Sequence, residues 1–304
     1  MADVTRNPVL RRELAERAAS KRAAVAVTLW LLLLSGLALL VYYVYTNTGQ
    51  VDPVTTDTAQ IGKDLFEWTL FGMVGLVLFL VPAFTASSVA GERTRQTLIP
   101  VQMTALSPLA IVLGKSLAAI AFTVLLVVIA APILAVAFLI GGVGFGDIFK
   151  GLGMIILTAI MLGTVGIMFS AVFKKVQSAI VMTYGFVLTI AVGSFIVLGV
   201  IAAVQAVQSD GFGPQDVPPK EVLAVNPFVG LADFTAGSDV NFGSNPLTGL
   251  RVLIDGLEAD GFAGAPPEQT TAVWRWYLVF CVLAIYSSLY IATNRLRTPA
   301  ETER

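Results

Sequence analysis

Apolar and polar positions in this chain come in long blocks rather than in alternation. Apolar runs cover Ala23–Tyr45, Leu65–Val89, Leu109–Ile140, Gly151–Phe173, Ser178–Val207 and Thr271–Thr293. A helix needs roughly 20 residues to cross a bilayer core of about 30 Å, and every run reaches that length. The third and fifth exceed it, so those helices are expected to tilt or extend past the membrane. The pattern predicts an all-α membrane protein of six transmembrane helices. Residues 1–22 form a polar leader, 23–207 hold helices 1–5, 208–270 form a long loop, 271–293 hold helix 6 and 294–304 form a tail.

Composition agrees with a membrane chain. Of 304 residues, 56% are hydrophobic and 13% charged, against about 25% charged in soluble domains. The leader is too long for a signal peptide, and Val41–Tyr45 is bulky where cleavage needs small residues, so the first run is expected to stay as a helix. Histidine is absent, which removes the commonest metal ligand and general base. The single Cys281 forms no intramolecular disulfide.

Loop charge sets the orientation, because Lys and Arg resist translocation. With the N-terminus inside, the inner segments hold Arg6, Arg11, Arg12, Arg17, Lys21, Arg22, Arg93, Arg95, Lys115, Lys174, Lys175, Arg295, Arg297 and Arg304. The outer segments hold Lys63, Lys150, Lys220, Arg251 and Arg275. Both termini are therefore expected in the cytoplasm, with the chain in the cell inner (plasma) membrane. Tyr42, Tyr43, Tyr45, Phe66, Trp68, Trp274, Trp276 and Tyr277 cluster at the expected outer interface, as a belt of amphipathic rings or as packing aromatics.

In the leader, Leu10, Leu14 and Ala18 recur every four residues between Arg11, Arg12, Arg17 and Lys21. The spacing predicts a helix lying in the cytoplasmic interface; a solvated basic leader is the alternative. In the long outer loop, Asn226-Pro227 and Asn245-Pro246 read as helix starts, with Asn as cap and Pro in the first turn. They predict short helices over Phe228–Phe234 and Leu247–Leu257. The second has Leu247, Leu250, Ile254 and Leu257 on one face, which packs either at the mouth of a pathway or on the tops of the spans.

Several motifs do not carry chemistry. Gly114-Lys115-Ser116 ends like a phosphate-binding loop, but Leu109 stands where that loop needs glycine. Gly144-Phe145-Gly146-Asp147 resembles an intramembrane aspartyl-protease motif, yet the spans offer no second aspartate, and a turn is expected there. Only Glu67 and Arg275 come close to a span, both at its outer edge, so the charge relay of a proton-coupled carrier is missing. Pro82 and Pro132 are either kinks or tolerated prolines.

Two segments carry a family resemblance. Asn7-Pro8-Val9-Leu10-Arg11-Arg12-Glu13-Leu14, followed by Ser20-Lys21-Arg22, resembles the opening of type-2 ABC-transporter permeases. Ala90-Gly91-Glu92-Arg93-Thr94-Arg95-Gln96-Thr97-Leu98, continuing through Leu106-Ser107-Pro108 to Gly114-Lys115, resembles that family's inner-loop signature. Gln96 stands where the family usually has glycine, and Pro100 interrupts a stretch that is usually one short helix.

The resemblance implies a membrane subunit, without catalytic residues or a cofactor of its own, that dimerises with itself or a similar permease. A separate ATPase subunit would use the ATP, and neither nucleic acid nor metal is expected. Gly91, Glu92, Arg93, Arg95, Thr97, Leu98, Ser107 and Pro108 would form the ATPase-coupling loop. Leu10, Arg11, Arg12, Leu14 and Arg17 would form the interfacial helix against lipid. Reversal of charge at Glu92 is expected to spare the spans, and Gly163 and Gly166 to allow close helix approach where subunits meet. The expected function is an exporter permease; the rivals are a non-transporting sensor or assembly factor on the same scaffold and, less favoured, a secondary carrier.

Overall fold

Helix α1 (Lys21–Asn47) buries one stripe, Ala26, Trp30, Leu34, Val41 and Tyr45, flanks it with partly buried Val27, Leu31 and Leu37, and exposes Val25, Leu29, Leu32, Leu33, Leu39 and Leu40. The stripe's steps of four and seven residues draw a seam along one side of a helix, and the seam meets helix α2 (Thr58–Thr85). The structure, a computed structural model, describes residues 21–47, 58–94, 108–208, 218–235, 246–258 and 272–297. Among these residues there is no strand, and six segments are long and apolar enough to cross a membrane. The leader residues Leu10, Arg11, Arg12, Leu14 and Arg17 lie outside the described residues.

The second span begins at Thr58, seven residues before the expected start, and carries Lys63, Asp64 and Glu67 on its first turns. A turn follows Thr85, then the short helix α3 (Ala90–Thr94). The third run is two helices, α4 (Pro108–Ile129) and α5 (Ala131–Ile140). Pro132 has no N–H to donate and crowds the preceding turn. The Ala130 N–H is shared between the carbonyls of Leu126 and Val127, at 3.2 Å each. Pro132 thus breaks the span into two helices, whereas Pro82 stays within α2.

Helix α6 (Phe145–Val172) is the centre of the bundle. Every residue from Met161 to Ile167 is buried, as expected of a helix surrounded by others rather than one with a single apolar face. It packs against α2, α4 and helix α7 (Val176–Leu188). It starts at Phe145, so Asp147 lies in its first turn rather than in a loop; the Asp147 Oδ2 accepts the Gly144 N–H at 3.2 Å. Before it, Gly141 and Gly142 turn the chain with φ of 111° and 78°, a region that favours glycine.

A π-helical segment, Thr189–Gly193, joins α7 to helix α8 (Ser194–Gln208). The loop expected over residues 208–270 contains a 3₁₀ turn (Lys220–Val225), helix α9 (Pro227–Phe234) and helix α10 (Pro246–Glu258). Helix α11 (Val273–Arg297) is the last span and continues four residues past Thr293, so Arg295 and Arg297 sit on the helix rather than in the tail.

Gly163 and Gly166 serve contacts inside the chain, not a surface between subunits. Both are buried on α6 and face Val81 and Thr85 of α2. A Cβ on Gly166 would overlap the Thr85 hydroxyl, which already donates to the Val81 carbonyl. Gly166→Ala is therefore expected to lower stability by about 1–3 kcal/mol, the usual cost of overpacking a core. Thermal unfolding of the detergent-purified chain measures it, and an unchanged midpoint would show that the two helices separate freely.

Candidate functional site

The two ends of the bundle differ in charge and in construction. One end carries Lys21, Arg93, Lys115, Lys174, Lys175 and Arg295 and is called the basic end here. At the other, the acidic end, the segment between α8 and α11 folds onto the spans.

At the basic end, α3 is suspended between α6 and α4. The Ser170 hydroxyl oxygen, fully buried on α6, accepts the backbone N–H groups of Val89 and Ala90 at 2.9 and 3.0 Å. The first amides of a helix have no partner within it, and here a side chain 80 residues away supplies one. The Arg93 guanidinium donates to the carbonyls of Phe173 (3.3 Å) and Ala171 (3.5 Å), at the same C-terminal end of α6, where backbone carbonyls are left over. On the α4 side, Lys115 is 1% exposed and its ammonium reaches Glu92 at 2.8 Å and the Ser88 carbonyl at 3.5 Å.

Of the expected coupling residues, the structure brings Gly91, Glu92 and Arg93 together on α3 and places Pro108 at the start of α4. Arg95, Thr97, Leu98 and Ser107 lie outside the described residues. Glu92 and Arg93 face their own chain. A Glu92→Lys reversal would set a second cation against buried Lys115, so it would strain the fold as well as any docking surface. Gly114-Lys115-Ser116 lies within the helix α4, a geometry that leaves no loop to cradle a phosphate.

Sequence reasoning missed Ser170 and the pairing of Lys115. A serine at a helix–helix contact has no pattern of its own. Lys115 did carry a signal: it stands seven positions inside a helix that starts at Pro108, a depth where a cation needs a partner.

At the acidic end, a second buried pair clamps α10 to α2. Arg251 donates to Glu67 Oε1 at 2.7 Å, to the Ala232 carbonyl at 2.8 Å and to the Thr235 hydroxyl at 2.9 Å. Thr248 donates to the other Glu67 oxygen at 3.3 Å. Asp64, buried three residues earlier, accepts the Tyr45 hydroxyl at 2.8 Å and the Gln60 amide at 3.1 Å.

Asn226 locks α9 to the π segment. Its side-chain oxygen accepts the N–H groups of Phe228 and Val229, and its amide donates to the Ala191 carbonyl and the Ser194 hydroxyl. A π turn frees a carbonyl from the regular ladder, and Asn226 uses one. Gly230 lies flat on the Tyr277 ring, whose hydroxyl shares a 2.7 Å hydrogen bond with Thr158 of α6. Tyr45, Phe66 and Tyr277 are thus buried partners rather than interfacial rings; Tyr42, Tyr43 and Trp276 are exposed, as a belt requires.

This arrangement contains two anchored ends and an apolar middle, the build of a membrane-spanning bundle. The chain is a multi-pass membrane protein. The family model described as "ABC-2 family transporter protein" matches residues 8–289. The chain therefore belongs to the ABC-2 transporter family and is a membrane permease of an ABC transporter. Membership implies pairing with an ATP-binding subunit. Among curated proteins, none matches the chain.

Removing one partner of a buried ion pair typically costs about 3–5 kcal/mol, while replacing both with apolar groups is often close to neutral. Arg251→Met alone is expected to destabilise the purified chain on that scale. Adding Glu67→Leu should recover part of the loss. Denaturation of the single and double variants in detergent reads this; equal losses would mean that the bonds to Ala232 and Thr235, not the ion pair, hold α10 in place.

Proposed function

We propose that this chain is the permease of an exporter whose separate ATPase docks at the basic end, on the segment running from Gly91 to Ser107. The observation that carries the reading is the suspension of α3. The start of the segment hangs from buried groups of α6 and α4, so a push that reaches α3 is delivered to packed spans. The outward direction is what the family resemblance leads us to expect.

The charge map supports this energy source. No Asp, Glu, Lys or Arg lies between Glu67 and Glu92, between Lys115 and Asp147, between Lys150 and Lys174, or between Arg275 and Arg295. Spans of that kind offer no relay for a coupling proton, which leaves ATP in a partner as the drive and no nucleotide or cofactor on this chain. The basic end faces the cytoplasm in this reading, as the positive-inside rule requires, and the chain lies in the plasma membrane. Two permease copies, or this chain with a similar one, would flank the path.

Co-expression with the cognate ATPase should yield an ATP-hydrolysing complex with two copies of each subunit, whereas the chain alone should neither bind nor hydrolyse ATP. Tight ATP binding by the purified chain alone would sink the proposal. For topology, single cysteines in a Cys281→Ala background test the orientation. Position 221 should react with an impermeant maleimide from outside intact cells, and position 174 only after the membrane is opened. Outside labelling of position 174 reverses the assignment of ends.

A further inference from the structure

The tethers that suspend α3 differ in stiffness. Ser170 holds the segment through a side chain with one rotatable carbon–carbon bond, and it grips backbone N–H groups of two consecutive residues, Val89 and Ala90. Arg93 adds bonds to the Ala171 and Phe173 carbonyls of the same helix end. The polar connection to α4 runs through the long stem of Lys115, and Val89 shares an apolar cluster with Ile111 and Val112 of α4 as well as with Ile167 and Ala171 of α6. A displacement of the segment therefore engages α6 directly, through hydrogen bonds to the segment's own backbone as well as apolar contact.

Helix α6 is also the element best placed to carry a displacement onward. It is enclosed along Met161–Ile167, so it does not slip without moving its neighbours. From Gly146 to Ser170 it spans about 36 Å at 1.5 Å per residue. Towards its far end, Thr158 bonds Tyr277, and Gly230 of α9 rests on the Tyr277 ring. Between that end of α6, α9 and α11 lies an open pocket of about 370 Å³, lined by Gly146, Phe149, Lys150, Leu157, Phe234 and Leu278. Its width depends on where α6 stands.

We infer that Ser170 is a positioning residue for energy coupling: it ties the segment on which the ATPase acts to α6, and α6 carries the resulting shift to the pocket at the acidic end. The inference rests on the docking of an ATPase at this segment. It deepens that reading by naming the helix that transmits and the contact that engages it.

The experiment uses the complex of the chain with its ATPase in lipid nanodiscs, in a Cys281→Ala background. Gly146→Cys supplies the probe, since a side chain there meets no neighbour within 4 Å. Its reaction rate with a polar maleimide is compared without nucleotide and with ATP plus vanadate. The parent should show a rate that changes with nucleotide. Ser170→Ala should assemble and hydrolyse ATP but lose that difference. Arg93→Met removes the other α6 tether from a half-exposed position, keeps much of its aliphatic stem, and should weaken the difference; it carries the test if Ser170→Ala does not fold. A nucleotide response of parental size in the folded variants overturns the inference, and so does an assembled parent whose Gly146 probe ignores nucleotide. A parent that never captures an ATPase is a distinct result, visible in the pull-down, and removes the docking reading and this inference with it.

Discussion

Inside a membrane the polar groups of a chain have no water to turn to, and each must be satisfied within the protein. That constraint organises this structure. Its buried polar groups outside the helical ladders are gathered into layers near the two ends of the bundle. Ser170, Arg93, Lys115 and Glu92 form one layer. Asp64, Glu67, Arg251 and Asn226 form the other. Between the layers, the helices meet chiefly through apolar side chains, crossed by the hydroxyl bonds Thr158–Tyr277 and Tyr184 to the Phe79 carbonyl.

Hydropathy was enough to find the six spans, because length and apolarity are themselves the physical requirement for crossing a bilayer. It was weaker on where each span ends. Thr58–Asp64 and Phe145–Lys150 continue as helix beyond the apolar runs because capping and tertiary bonds hold those turns, as Asp147 does for Gly144 and Tyr45 for Asp64. The break at Ala130 rested on Pro132, whose sequence neighbours alone left a kink and a tolerated proline equally open. Pro82 took the tolerated course, near the end of α2 where the ladder is about to finish anyway.

The candidate site was readable only in its short-range part. Gly91, Glu92 and Arg93 stood out by their resemblance to a known inner-loop pattern, but their partners lie far away in sequence. Ser170 meets Ala90 across 80 positions, and Arg251 meets Glu67 across 184. A single sequence encodes such pairings only as isolated polar residues in or beside apolar runs. Glu67 and Lys115 were visible in that form and were assigned to loops and edges. Both stand inside the expected runs, near their ends, and their burial turns on partners 23 and 184 positions away, which hydropathy does not register.

The separation of polar layers from an apolar middle bears on how such a bundle moves. Hydrogen bonds and ion pairs are directional, and shifting them by an ångström forfeits most of their worth in a low-dielectric setting. Apolar contacts are non-directional, so helices that touch only through them slide or rotate at little cost provided the space stays filled. A chain anchored at both ends and greased between them has a natural mode of motion. The polar layers hold their members in register, and a displaced helix moves its neighbours across the apolar contacts between the layers. Besides Gly62 and Gly142, which meet the backbones of Gly141 and Ala59 at the acidic end, Gly166 against Thr85 is a contact with little slack. It lies one turn from Ser170 on α6, near the α3 suspension. Close packing and polar tethering thus coincide at the end where a push would arrive, so that push passes into α6 before any give in the apolar contacts takes it up.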